Sequence, residues 1–117
     1  MILPPNGVVS ASLHHLCRQL AGVQLLADVS LEFPCGEPDM RLHVRDPQKP
    51  DPRVELMAPE PTAWSSRCWD AVRIQEGCRR VWRGPAEDCP LEQVTTFIRH
   101  LLCLDPAEIS RRYVCLG

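Results

Sequence analysis

Cysteine and arginine supply most of the reactive chemistry in this sequence. Of its seven cysteines, Cys78 is the best placed nucleophile, because it follows Gly77 and precedes Arg79 and Arg80. The thiolate is the reactive form of cysteine, and neighbouring guanidinium charge favours it where the sulfur meets solvent. Arg79 and Arg80 are therefore the candidate activating residues, and the chemistry implied is that of a reactive thiolate. Cys68, between Arg67 and Trp69, is the alternative nucleophile. For either cysteine a packing role stands beside the reactive one, since free cysteine is among the most buried residue types and behaves as a small hydrophobe.

Other chemistries find less support. Four histidines occur, His14, His15, His43 and His100, without metal-ligand spacing, and there is no Cys-x-x-Cys pair. No metal site or cofactor is expected. A local signature for a hydroxyl nucleophile, histidine and carboxylate is missing, as is a glycine-rich phosphate loop. The formal charge of −2, from 13 basic and 15 acidic residues, comes without a sustained basic stripe, so nucleic acid is not an expected partner. The chain contains no apolar run approaching the ~20 residues that cross a bilayer, and Met1 to Pro5 has no secretory character. A cytoplasmic protein with mostly reduced thiols is the expectation.

The elements that must hold these groups follow from periodicity. A length of 117 residues with 44% hydrophobic content suits one domain, residues 10–117, behind a Pro-rich leader over residues 1–9. Leu13, Leu16, Cys17 and Leu20 sit at helical spacing behind the possible caps Ser10 and Ser12, and Gly22 ends the pattern. Apolar residues then fall on alternate positions from Val23 to Phe33, the pattern of a strand. A turn over residues 34–39 leads to a second strand through Met40, Leu42 and Val44. The Pro-rich run from Asp46 to Pro52 reads as a connection, and Val54 and Leu56 begin a third strand. From Ala58 to Pro90 the periodicity lapses, although Val72 and Ile74 suit a short strand ending at Glu76-Gly77. This reads as an ordered irregular segment rich in Cys and Trp, where function tends to reside. Leu91, Val94, Phe97, Ile98, Leu101 and Leu102 form a wide apolar helical stripe behind Pro90. Asp105-Pro106-Ala107-Glu108 has the form of a capping box for a short last helix. The fold class expected is α+β: an N-terminal helix, a three- to four-stranded antiparallel meander, the irregular segment, and a C-terminal helix pair.

This order resembles the ubiquitin-conjugating enzyme fold over residues 10–112. Asp51-Pro52-Arg53-Val54-Glu55-Leu56 is similar to that family's proline-flanked third strand, and Glu76-Gly77-Cys78 to its approach to the thioester cysteine. Trp82 resembles the tryptophan that follows the site, and Leu101-Leu102 with Asp105-Pro106 resembles the exit of the next helix. The resemblance implies that Cys78, or Cys68, receives a ubiquitin-like C-terminus from an activating enzyme and passes it to an acceptor. It also implies that Leu13, His14 and Arg18 dock partners on the first helix. The family's His-Pro-Asn tripeptide has no counterpart, since neither histidine nor asparagine occurs from Asp46 to Arg99. The alternative is a non-catalytic adaptor of the same fold, an inactive variant or RWD-like relative. A secretion-chaperone-like effector binder is a further reading, against which the prolines and the long irregular segment speak.

Overall fold

The computed structural model describes residues 5–32, 39–57, 68–86 and 89–117, with side chains from residue 13 onward within those ranges except at positions 32 and 39. Helix α1 (Pro5–Ala21) leads into five strands, β1 (Leu26–Glu32), β2 (Asp39–Asp46), β3 (Lys49–Met57), β4 (Cys68–Gln75) and β5 (Cys78–Ala86). Helices α2 (Leu91–Cys103) and α3 (Pro106–Arg112) complete an α+β fold. All strands are antiparallel and lie in chain order, β1-β2-β3-β4-β5.

Helix α1 starts at Pro5, earlier than the serine caps suggested, and takes in part of the expected leader. Proline suits a first helical position because its missing N–H is an orphan there anyway. Leu13, Leu16 and Leu20 are fully buried. The first strand begins at Leu26 because Gln24, with φ 65°, breaks extension after the helix. Phe33 and the residue 34–38 turn lie outside the described residues. The Pro-rich run after Asp46 is a short turn followed by the first half of β3, not a long connection, with Asp46 opposite Lys49 beyond a register shift.

The largest departure lies in the segment expected to be irregular. Residues 68–86 form a hairpin closed by Glu76 and Gly77, both at positive φ (51° and 82°). Positive φ at both central positions is the primed turn whose twist matches a two-residue hairpin. Strand β4 eluded the alternation test because it is buried on both faces: Trp69, Ala71 and Arg73 one way, Val72 and Ile74 the other. Such strands lose the apolar/polar alternation of a half-exposed one.

One face of the sheet carries the core. Leu42, Val44, Val54, Leu56, Ala71 and Trp82 pack against the buried stripes of α1 and α2 and against Ile109 of α3. The expected stripe of α2 is buried at Val94, Phe97, Ile98, Leu101 and Leu102. Asp105 caps α3 as anticipated, its Oδ1 accepting from Glu108 N–H at 2.9 Å, while the Glu108 carboxylate turns outward to Arg111 at 2.6 Å. Beyond α3 the chain lies along β5, where Arg83 N–H donates to Val114 O at 2.9 Å and Leu116 N–H to Val81 O at 2.7 Å.

Gly84 is where β5 meets α2 most closely. A Cβ there would stand 2.6 Å from the Phe97 ring and 2.7 Å from the Trp69 carbonyl oxygen. Overpacking of this kind costs about 1–3 kcal/mol. Gly84→Ala is therefore expected to lower the unfolding free energy measured in urea by that amount, and Phe97→Leu combined with it should cost less than the two changes summed, since the smaller side chain makes room.

Candidate functional site

Cys78 is exposed at the first position of β5, paired in register with Gln75 across the turn. Side chains alternate along a strand, so Cys78, Arg80 and Trp82 share the helix-side face while Arg79 points to the other. Arg79 leans toward the Glu55 carboxylate at 3.9 Å, away from the thiol. Arg80 is exposed on the cysteine's own face. Cys68, half-buried at the start of β4, pairs in register with Ala86 at the far end of the hairpin, roughly 23 Å from Cys78 at strand rise. The two thiols therefore cannot act on one substrate atom.

Trp82 is fully buried, and its indole N–H donates to Ser110 Oγ at 3.1 Å. On α1 the three candidate contact residues separate: His14 and Arg18 are exposed, but Leu13 is fully buried beneath the helix. Leu13 is corrected to a core residue, because its place in the i, i+3, i+7 stripe turns it onto the sheet. Among the described residues no group of three His, Cys, Asp or Glu side chains could hold a metal ion, and no helix is long and apolar enough to cross a membrane.

The most organised polar constellation lies on the sheet face opposite the core. Ser30, Arg41, His43, Glu55 and Arg79 come from four different strands, and the register brings them together. Glu55 is the hub. Its Oε2 accepts from Arg41 Nη1 at 3.1 Å and lies 3.9 Å from Arg79 Nη2, while Oε1 is 3.7 Å from His43 Nδ1. His43 Nε2 in turn meets Ser30 Oγ at 2.7 Å. The order serine, histidine, carboxylate is that of an acyl-transfer triad, but 3.7 Å exceeds hydrogen-bonding distance. The carboxylate is committed to guanidinium partners instead of orienting the imidazole. The array is a charge network that fixes side chains on a solvent-facing sheet. Sequence reasoning missed it because its members are separated by turns, and only strand register shows that His43 sits directly opposite Glu55.

Beside this network, Asp70 lies 3.9 Å from Arg83. Burial pushes its carboxyl above the usual range, and the Arg83 charge opposes that shift. On the helix side, Arg73 is buried, with Nη2 donating to Gln75 Oε1 at 2.7 Å. Burial lowers its pKa, and the charges of Asp105 and Asp51 act against that effect.

An open cleft of about 440 Å³ lies between β5 and α2, lined by Gly84, Pro85, Glu92, Gln93, Thr96 and Tyr113. Tyr113 packs edge-on against Phe97 with centroids 4.7 Å apart, and its hydroxyl meets His100 Nδ1 at 2.8 Å. Burial, assisted by the Arg112 charge, lowers the His100 pKa below 6.5, and burial raises that of Tyr113.

Comparison with known proteins gives no matching family model, no matching curated protein and no matching solved structure.

Two outcomes follow. Removing the hub charge in Glu55→Gln should cost about 1.5–3 kcal/mol in urea unfolding, the range for hydrogen bonds to charged groups, and more than Ser30→Ala. For His100, the folded pKa is depressed, so the unfolded chain takes up a proton that the folded chain refuses. Its contribution to stability is full above about pH 6.5 and is lost as the pH falls toward the lowered folded value. Thermal melts from pH 7.5 downward should show this loss, and His100→Gln should flatten it.

Proposed function

We propose that this chain is a non-catalytic protein-binding module of conjugating-enzyme-like type, an adaptor that engages its partner through the sheet face opposite the helices. The observation carrying this reading is the Glu55 network. A carboxylate shared by Arg41, His43 and Arg79 holds donors from several strands in place before any partner arrives. Preorganised side chains reduce the ordering cost of association, and a sheet face with fixed donors favours specificity and encounter rate. Exposed His14 and Arg18 on α1 offer a second contact area.

The enzyme reading keeps one specific support, the exposure of Cys78. Against it, Arg79 is drawn to Glu55 on the other face of the strand, away from the thiol. Cytoplasmic operation with an activating enzyme and a ubiquitin-like modifier belongs to that second reading.

Incubation with ubiquitin-like modifiers, activating enzymes and ATP, followed by gels with and without reductant, separates the two. The adaptor reading predicts no reductant-sensitive adduct, and photo-crosslinks to cellular proteins from a probe at Arg83 on the network face that persist in Cys78→Ala. An adduct that forms in the native chain and disappears in Cys78→Ala would overturn it in favour of the thioester carrier.

A further inference from the structure

Across the five strands, one row on the network face reads Leu26, Arg45, Arg53, Ile74, Arg79, each in register with the next. Arg45 and Arg53 are directly opposite one another on adjacent strands, and both are exposed. Like charges in that arrangement destabilise a sheet. Each of the other arginines on this face has an acid: Arg41 and Arg79 share Glu55, and Arg83 lies by Asp70. Among the acids, Asp51 sits two positions before Arg53 but its Oδ2 accepts from Glu76 N–H at 3.0 Å. Asp28 lies in the next row, opposite His43. Among the described residues no ion pair joins Arg45 or Arg53 to an acid, and the two stand opposite each other in register, with Leu26, 44% exposed, on one side.

Building on the adaptor reading above, we propose that the Arg45–Arg53 pair is the anchor for a short acidic segment of the partner protein. One or two Asp or Glu carboxylates would lie between the guanidiniums while an apolar neighbour covers Leu26. The chemistry of recognition is bidentate pairing of guanidinium with carboxylate. Binding relieves a repulsion that the free sheet carries, so the ligand gains from an arrangement that costs the fold. A long polyanion suits the site poorly, because the pair is bordered by Asp28, Glu55 and Asp51 and the chain as a whole has a formal charge of −2. A segment with a few carboxylates meets the cations and clears the acids.

The test joins affinity to stability, because the two should move in opposite directions. A fluorescent peptide of alternating glutamate and leucine, titrated into the full chain at low and moderate salt, should bind and weaken as salt rises. Arg53→Glu should weaken that peptide by roughly tenfold. It should also raise the melting temperature of the free protein by about 1–5 °C, because an Arg–Glu cross-strand pair replaces Arg–Arg. Arg53→Lys should retain most of the binding. Unchanged affinity in Arg53→Glu, no peptide binding at all, or tighter binding of single-stranded DNA or of phosphatidylserine vesicles than of the peptide would each overturn the proposal. If the peptide fails while the Arg83 probe still crosslinks protein, the acidic anchor falls and the adaptor reading stands; loss of both removes the reading itself.

Discussion

Trp82 is where the separate parts of this chain are tied to one another. Its backbone lies opposite Ala71 in the β4–β5 hairpin and opposite Cys115 in the chain's final stretch. Its ring is fully buried in the core and its indole N–H reaches Ser110 on α3. A buried indole needs a partner for its one donor, so the hydrogen bond to Ser110 fixes where α3 can lie once the ring is in place. The alternation set by Trp82 on the inner face also decides the outer one. With Trp82 inward, Arg79, Val81 and Arg83 must point away from the helices, and Arg79 then comes within reach of Glu55.

The outer face is thus a consequence of packing on the inner one. Leu42, Val44, Val54 and Leu56 are buried against the helices, and a slip of one residue in either strand would turn them into solvent. The register that keeps them inside places His43 opposite Glu55 and Arg45 opposite Arg53. The first pairing sits inside the Glu55 charge network, whereas the second sets two like charges opposite each other. Sequences break such local rules mainly at functional or strained sites, and the Arg45–Arg53 pair is one such break.

How far the sequence could be read depended on how one-sided each element is. Helix α2 was plain, because Val94, Phe97, Ile98, Leu101 and Leu102 form a single apolar stripe, and Asp105-Pro106 announces α3 through its cap. Strands β2 and the latter half of β3 alternate cleanly and were read correctly. The β4–β5 hairpin was not, apart from a fragment at Val72 and Ile74. Burial on both faces of β4 erased the alternation, β5 carries Arg79, Arg80 and Arg83, and the turn uses Glu76 where Asn or Asp commonly marks a primed turn. Proline at positions 50 and 52 likewise disguised the start of β3 as a connection. Cys78 was singled out as a nucleophile on the condition that its sulfur meets solvent, with a packing role beside it, and its separation from Arg79 across the strand depends on a pleat that was not foreseen. The Glu55 constellation could not be found at all without register, since no spacing in the chain joins Ser30, His43 and Glu55.

The central claim is that Glu55 orders the outer face before any partner is present. Guanidinium rotation in Arg41, measured by NMR on the Nε–H and Nη signals of the free protein, tests it most directly. The account predicts restricted rotation in the native chain, consistent with the 3.1 Å contact to Glu55, and faster rotation in Glu55→Gln. Fast, uniform averaging of Arg41 in the native protein would contradict it.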